Sequence, residues 1–436
     1  MTIGIIGLGY VGLTLAIAAA DAGVEVYGVE VNPHIKQCLA ENRAHFFEPG
    51  LDALIRRHNN KSFHVVEKFP EETFFDAFII TVGTPLLDDH VTPNFDYIRS
   101  SLESIREVYN GDSLIILRST VSVGTTRNVV RPMLKELCGR EEDEILVAMC
   151  PERTVEGKAV YELSHLPQII SGNNERSLEI AQNLFRRLTP YVIAVGSLEE
   201  AELVKLYCNT YRDMSFAIGN AFCLAAQRFG VDGSSVIRHA NQGYDRANIA
   251  LPGFVAGPCL EKDAYILTSN MPDCASRDFI LASRHLNESL EDVVVDWVAR
   301  KVGAPAADKP VVLSGMAFKG VPETSDLRGS SSVYIARKLR ARGYTLRLHD
   351  FVASKTELAA LGLGEVVKDL DAACRDAAAL CVLNNHRRYA ALSLPTVLER
   401  AELPVLDTWG ACAELAASGK QPYQTFGDMN REGEQR

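Results

Sequence analysis

Long hydrophobic runs are missing from this chain of 436 residues: none reaches the roughly 18 consecutive apolar residues needed to span a bilayer. No membrane-spanning helix is therefore expected. The opening MTIGIIGLG runs straight into a strand, with no basic segment or small-residue cleavage site, so no secretion signal is expected. Excess positive charge is missing too. Lys and Arg number 45 against 56 Asp and Glu, a net charge of −11, which argues against a general nucleic-acid binder. An anionic substrate would then need a locally basic pocket. Short repeats and low-complexity tracts are absent. The ten cysteines, at 38, 138, 150, 208, 223, 259, 274, 374, 381 and 412, form no CxxC pair, and no Cys/His cluster has zinc spacing, so no metal is expected. Scattered single cysteines point to a reducing compartment, the cytoplasm, with most of them packed as small hydrophobes.

What is present is an ordinary globular composition, 47% apolar and 23% charged, in a chain too long for one core. Through residue 196, short apolar runs alternate with amphipathic stretches. Strands are expected at 3–7, 25–30, 75–82, 114–117, 145–149 and 191–195, and helices near 11–22, 94–108, 124–137 and 177–188. That alternation predicts a parallel, doubly wound α/β sheet. From Ser197 a proline-free stretch with helical spacing runs to Gly230, opened by a capping-box pattern with Glu200. A helix of that length joins domains or pairs with a symmetry mate. The segment VGAPAADKP around 303–310 reads as a linker, after which strands recur at 311–315, 344–348, 379–383 and 404–407. The fold expected is two Rossmann-like doubly wound domains, 1–196 and 303–436, joined by a helical region, 197–302. The polar GDMNREGEQR at the end is expected to fray.

Gly7-Leu8-Gly9-Tyr10-Val11-Gly12 fits GxGxxG between a strand and a helix. The first glycine permits the tight turn, the second lets the backbone approach a pyrophosphate, and the third allows close helix–strand packing. The second strand ends at Glu30, whose carboxylate suits the ribose hydroxyls of NAD and repels the 2′-phosphate of NADP; Lys36 is the basic rival nearby. Two further strand ends, carrying Thr84 and Ser119-Thr120, fall where a cofactor crevice lies in an open parallel sheet.

The stretch Gly257-Pro258-Cys259-Leu260-Glu261-Lys262-Asp263 raises a chemical question, since one hydride transfer needs no thiol. Together with GLGYVGL (7–13), VGTP (82–85), STV (119–121), PER (151–153) with EG (156–157), ELVKLYCN (202–209), AFK (317–319) and SDLRGSS (325–331), in that order, the chain resembles the UDP-glucose/GDP-mannose dehydrogenase family over almost its whole length. The resemblance implies a four-electron oxidation of a nucleotide-diphospho-sugar at C6, with two NAD reduced per sugar, through a thiohemiacetal and a thioester. It implies that Cys259 is the nucleophile and that Lys205 and Asn209, one helical turn apart, stabilise the oxyanion. Asp263 would take part in proton transfer through a water, Glu152 would activate the hydrolytic water, and Thr120 would belong to the same water network. Phe318 and Lys319 would contact substrate, as would Glu152, Arg153, Lys205, Phe254 and Gly257. Arg246 would reach a substrate across a homodimer interface, Arg328 would lie near the cofactor, and the long helix would be the dimer element.

Two departures stand out. The family's loop reads GG-S-C or GG-H-C where this chain has Ala256-Gly257-Pro258-Cys259, so a backbone donor beside the thiol is lost. The stretch from Lys319 to Arg328 is also about two residues longer than the common form, by the sequence alone. PER and NQGYDRANIALPG resemble the dehydrogenases of UDP-N-acetylhexosamines such as UDP-N-acetylmannosamine, whereas EGKA and the lysine of CLEKD resemble those of UDP-glucose or GDP-mannose. Tyr334 and Lys338 have the YxxxK spacing of a proton relay, for which a helix face is the better reading, and His349-Asp350 reads as a turn. The competing functions are a two-electron hydroxyacid dehydrogenase, which has no use for the thiol loop, and a non-catalytic NAD-binding scaffold, which has no need of Cys259, Lys205, Asn209 and Asp263.

Overall fold

Runs of Ile, Val, Leu and Phe buried on both faces make the central strands of this chain, the pattern of a sheet covered on both sides by helices. The computed structural model describes residues 1–87, 92–109, 111–141, 144–419 and 422–429. The chain divides into a first unit, Met1–Asn209 with Tyr265–Pro272, and a second, Thr210–Ala264 with Asp273–Arg436.

The first unit holds an eight-stranded sheet: β1 (Thr2–Ile6), β2 (Glu25–Val29), β3 (Phe63–Val66), β4 (Ala77–Ile80), β5 (Leu114–Leu117), β6 (Val147–Met149), β7 (Gln168–Gly172) and β8 (Val192–Ala194). Their order is β3-β2-β1-β4-β5-β6-β7-β8. The chain order reverses at β1, which pairs with β2 on one side and β4 on the other. A crevice at such a switch point, beyond the carboxyl ends of the strands, is where ligands bind in open α/β sheets. Helices α1 (Tyr10–Asp21), α2 (Pro33–Ala40), α3 (Leu51–His58), α4 (Asp96–Ser104), α5 (Arg131–Cys138), α6 (Ala159–His165) and α7 (Glu175–Leu188) connect them. On one face Ile3 and Ile5 share a core with Leu13, Leu15 and Ile17 of α1; on the other Ile80 and Leu117 pack with Ile98 of α4.

The expectation of a wholly parallel sheet needs correction here, because β7 runs antiparallel to β6. An antiparallel neighbour needs no crossover, so the connection 150–167 begins and ends at the same end of the sheet. That end is the carboxyl end of β6, and the connection carries Glu152. Five elements of this unit were not expected from the sequence: β3, β7, α2, α3 and α6.

Helix α8 (Leu198–Arg228) continues from the first unit into the second. Ser197 Oγ accepts from Glu200 N at 3.0 Å as expected, but the Glu200 carboxylate returns to Gly196 N at 2.8 Å, one residue before the position a capping box requires. Gly230, at φ +71°, follows its end.

In the second unit, α9 (Gly233–Asn241), α10 (Leu260–Thr268, whose last turn belongs to the first unit) and the 28-residue α11 (Ala275–Val302) precede a six-stranded parallel sheet. Its strands are β9 (Val311–Ser314), β10 (Leu346–His349), β11 (Glu365–Val366), β12 (Ala379–Val382), β13 (Val405–Asp407) and β14 (Tyr423–Thr425), in the order β11-β10-β9-β12-β13-β14. Leu290, Val294, Trp297 and Val298 of α11 share a core with Ile335 and Leu339 of α12 (Ser331–Ala341) and with Leu346 and Leu348. The expected fraying fails for residues 427–429. Gly427 O accepts from Gly233 N at 3.0 Å, Asp428 Oδ1 accepts from Thr425 N at 2.7 Å, and Met429 is buried. The rest of that tail, 430–436, lies outside the described residues. Among the described residues no helix is long and apolar enough to cross a membrane, and no group of three or more His, Cys, Asp or Glu could hold a metal.

Candidate active site

The glycine loop has the geometry its spacing predicts. Gly7 sits at φ +88°, open to glycine without strain. A Cβ at Gly12 would lie 1.9 Å from the Gly7 carbonyl oxygen, so helix and loop touch through bare backbone. A Cβ at Gly9 would meet nothing within 4 Å, which leaves open space beside the N-terminus of α1. That terminus has no side-chain cap, so its first N–H groups remain for an anion. Glu30 is buried at the end of β2, where Leu8 N donates to Oε2 at 2.7 Å and Val31 N and Asn32 N donate to Oε1 at 2.8 Å. This fixes the carboxylate beside the loop. Lys36 is paired with Glu67 at 2.7 Å. Open backbone, an uncapped helix start and a fixed carboxylate at the second strand fit NAD. Tyr10, in the middle of the loop, donates its hydroxyl to buried Glu48 at 2.5 Å, and Gly157 N donates to the same oxygen at 2.7 Å. Burial and Glu48 hold the Tyr10 hydroxyl protonated far above the ordinary tyrosine range.

The ends of β4 and β5 are tied together. Thr84 Oγ1 donates to Thr120 O at 2.5 Å, and Ser119 Oγ donates to Val82 O at 2.6 Å. Just before them, Arg118 is fully buried and grips Glu152 with two donors, Nε at 3.1 Å and an Nη. Its other Nη donates to Cys150 O at 3.0 Å and Gln168 Oε1 at 3.1 Å. The second oxygen of Glu152 accepts from Arg153 N and Thr154 N, both at 2.6 Å. Burial alone would raise the Glu152 carboxyl; Arg118, the Thr154 N–H and the charge of Lys205 outweigh it and hold the group below the usual carboxylate range. Glu152 is therefore a locked anion, suited to accept a hydrogen bond and orient a water. The Arg153 guanidinium donates to Pro167 O.

Lys205 and Asn209 lie on α8 one turn apart, and both are buried, unlike residues of a solvated helix face. Glu202, one turn earlier, is 1% exposed and accepts from Gly124 N at 2.6 Å, Thr126 N at 2.8 Å and Thr126 Oγ1 at 2.6 Å. It pins α8 to the loop that follows Thr120.

The remaining expected residues belong to the second unit. Cys259 is exposed and immediately precedes α10. Its carbonyl accepts from Lys262 N at 3.2 Å and Asp263 N at 3.0 Å. Lys262 Nζ pairs with buried Asp263 at 3.1 Å. Burial lowers the Lys262 ammonium, but the charges of Asp263 and Cys259 overcome this and raise it, so Lys262 stays charged. Gly257, at φ +97°, packs under Phe318, whose ring would lie 2.6 Å from a Cβ there. Gly257 N donates to Gly329 O at 2.8 Å. Phe254 is buried against Phe426, and Lys319 Nζ lies over the Phe318 ring at 5.1 Å. Arg328 is exposed and paired with Asp326, and Arg246 is exposed and stacked on Tyr244 at 4.8 Å. Tyr334 donates to Glu261 at 3.1 Å while Lys338 pairs with Glu291 and Asp292, so the two do not form a relay. Asp350 caps the turn after β10 and also accepts from Ala317 N at 2.9 Å, which anchors the AFK loop.

Arg118, Glu202 and Glu48 had no assigned role in the sequence reading. The signal for Arg118 was a charged residue at the end of a fully apolar strand. The signal for Glu202 was its place one turn before Lys205.

Family models match three stretches of the chain. They are the NAD binding domain (residues 1–189), the central domain (199–289) and the UDP binding domain (312–414) of the UDP-glucose/GDP-mannose dehydrogenase family. A UDP-N-acetyl-D-mannosamine dehydrogenase of Campylobacter jejuni is 33% identical over 344 residues, 77% of this chain and 82% of that one. An NDP-N-acetyl-D-galactosaminuronic acid dehydrogenase of Ralstonia nicotianae is 31% identical over 421 residues, 94% of this chain and 96% of that one. The solved UDP-D-ManNAc dehydrogenase of Pyrococcus horikoshii superposes with a TM-score of 0.84 at 26% identity, covering 99% of this chain and 100% of its own.

Proposed function

Because the chain belongs to the UDP-glucose/GDP-mannose dehydrogenase family, and is thereby an NAD-dependent oxidoreductase of nucleotide sugars, we propose that it oxidises C6 of a UDP-N-acetylhexosamine to the uronic acid by way of a thioester on Cys259. The observation that carries the mechanism is the exposed Cys259 thiol at the start of α10, with the buried Asp263 and its partner Lys262 one turn on. The choice of sugar is supported by the relatives just described, which act on N-acetylated sugars by name, and by the PER and NQGYDRANIALPG segments.

When bound, NAD supplies the hydride acceptor for each of two oxidations. In the first, the C6 alcohol loses a hydride and a proton, and Lys205 and Asn209 stabilise the oxygen as charge develops on it. The Cys259 thiolate then adds to the aldehyde carbon, which gives a tetrahedral adduct that again carries a transferable hydride. Loss of that hydride leaves a thioester. A water oriented by Glu152, with Asp263 in the proton path, cleaves the carbon–sulfur bond to release carboxylate and regenerate the thiol. Residues 1–196 serve the cofactor, 197–302 the chemistry and 303–436 the nucleotide sugar. An exposed apolar stripe on α8, with Tyr207, Tyr211, Ile218 and Phe222, supports a homodimer, and the free cysteines support work in the reducing cytoplasm.

The test is NADH yield per nucleotide sugar, run to completion over a panel of UDP-N-acetylhexosamines, UDP-glucose and GDP-mannose, for wild type and Cys259→Ser. Two NADH per sugar with one N-acetylated substrate, and a variant that stalls before the acid, is the expected result. One NADH per sugar, or acid formed at full yield without the thiol, overturns the mechanism.

A further inference from the structure

The loop that carries Cys259 is held from below by four polar side chains that leave almost no surface to solvent. Asp213 and Asn220 come from α8, Arg284 and Asn287 from α11; none is more than 2% exposed. Arg284 Nη1 donates to Asp213 Oδ1 at 2.6 Å and to Leu260 O at 3.1 Å. Its Nη2 donates to Val255 O at 3.4 Å. Asn287 Nδ2 donates to Asp213 Oδ1 at 2.8 Å and to Asp213 O at 2.9 Å. Asn220 Nδ2 donates to Asn287 Oδ1 at 2.9 Å and to Gly253 O at 3.1 Å, while its Oδ1 accepts from Gly253 N at 2.9 Å.

One connected cluster thus fixes the main chain at 253, 255 and 260, on both sides of the thiol. A buried ion pair is a poor stabiliser; apolar residues of the same volume often serve stability as well or better. What the cluster provides is geometry, because each contact to the loop goes to main chain and specifies its path. These supports fall on main-chain groups that flank Pro258, and none of them uses residue 258 itself. Asp213 continues the i, i+4 series of Lys205 and Asn209 on α8, so the helix bearing the proposed oxyanion donors also bears the anchor of the proposed nucleophile loop.

We propose that Arg284, held by Asp213, which Asn287 in turn fixes, is a positioning residue for the Cys259 thiol. The proposal rests on the reading of Cys259 as nucleophile for its effect on turnover, but not for its effect on the thiol itself. Three variants test it: Arg284→Met, Arg284→Lys and Asp213→Asn, the last keeping side-chain shape while removing the charge. In each, the alkylation rate of Cys259 by iodoacetamide is followed by peptide mass spectrometry against Cys274 of the same molecule, together with kcat and with KM for NAD. Arg284→Met should lower kcat about 100-fold, the scale of a misplacement near 1 Å, and change the Cys259-to-Cys274 alkylation ratio severalfold, with KM for NAD within about twofold of wild type. Arg284→Lys retains a donor for one carbonyl and should recover part of both losses. Asp213→Asn should fall between them. If Arg284→Met does not fold, the other two decide. A wild-type alkylation ratio and wild-type kcat in the folded variants overturn the proposal. A shifted ratio in the variants, alongside a fully active Cys259→Ser enzyme, would sink the thioester mechanism and leave the positioning role standing.

Discussion

Removal of the Arg118 guanidinium should make the stability of this protein depend on pH in a new way. Arg118→Met leaves the volume roughly filled but strips Glu152 of its bidentate partner and the Cys150 carbonyl of a donor. Breaking a buried pair by deleting one member costs ~3 to 5 kcal/mol, and the orphaned carbonyl adds ~1 kcal/mol. That sum is a large share of the ~5 to 15 kcal/mol by which a domain is stable. The sign with pH follows from the direction of the Glu152 shift. In the native protein this carboxyl is depressed, so its contribution is present above the unfolded carboxylate value and is lost as pH falls through the lower native value. Without Arg118, burial dominates and raises the group, so its contribution is lost as pH rises instead. A gap between wild type and Arg118→Met should therefore already be present near about pH 5, where wild type holds its full contribution, and should widen by several kcal/mol toward about pH 8. Urea unfolding at both pH values reads the gap, and Arg118→Met with Glu152→Gln should close much of it at the higher pH. A gap that does not change with pH, or one below about 1 kcal/mol at the higher pH as for a surface pair, would refute the account of Glu152 as a locked anion.

Glu30→Ser should raise KM for NAD about tenfold, since a fixed acceptor is lost and Leu8 N is left without its partner, and should permit measurable turnover with NADP; steady-state kinetics with both cofactors checks this, and an unchanged preference would count against Glu30. Glu291, whose carboxyl is pushed up to about 7 by burial against the pull of Lys338, favours the folded state below the ordinary carboxylate value. That contribution is lost as pH rises from there to about 7, and amounts to ~3 kcal/mol. Glu291→Gln should flatten the decline in thermal midpoint over that window, and a slope equal to wild type would contradict it.

What the sequence makes legible is what is decided locally. The glycine loop follows from the spacing of three glycines between an apolar run and an amphipathic one, and α8 follows from a long proline-free helical pattern. β7 was hidden because its five residues lead almost directly into α7, and nothing local records that it runs against β6. The partners of the site were hidden for a related reason. Glu152 lies 34 positions from Arg118, and Asp213 lies 71 from Arg284, so each looks like an ordinary surface charge until the fold buries them together. Motif resemblance pointed to residues proposed to meet substrate, while the residues that hold those in place carry no motif of their own.

The packing of Gly257 beneath Phe318 has an evolutionary consequence. The residue expected to touch the sugar nucleotide rests on the backbone two positions before the thiol, with no room for even a methyl group between them. If Phe318 meets the sugar, preference and reactivity would be inherited together, because a bulkier side chain at 318, or any side chain at 257, would press on the main chain that leads to Cys259.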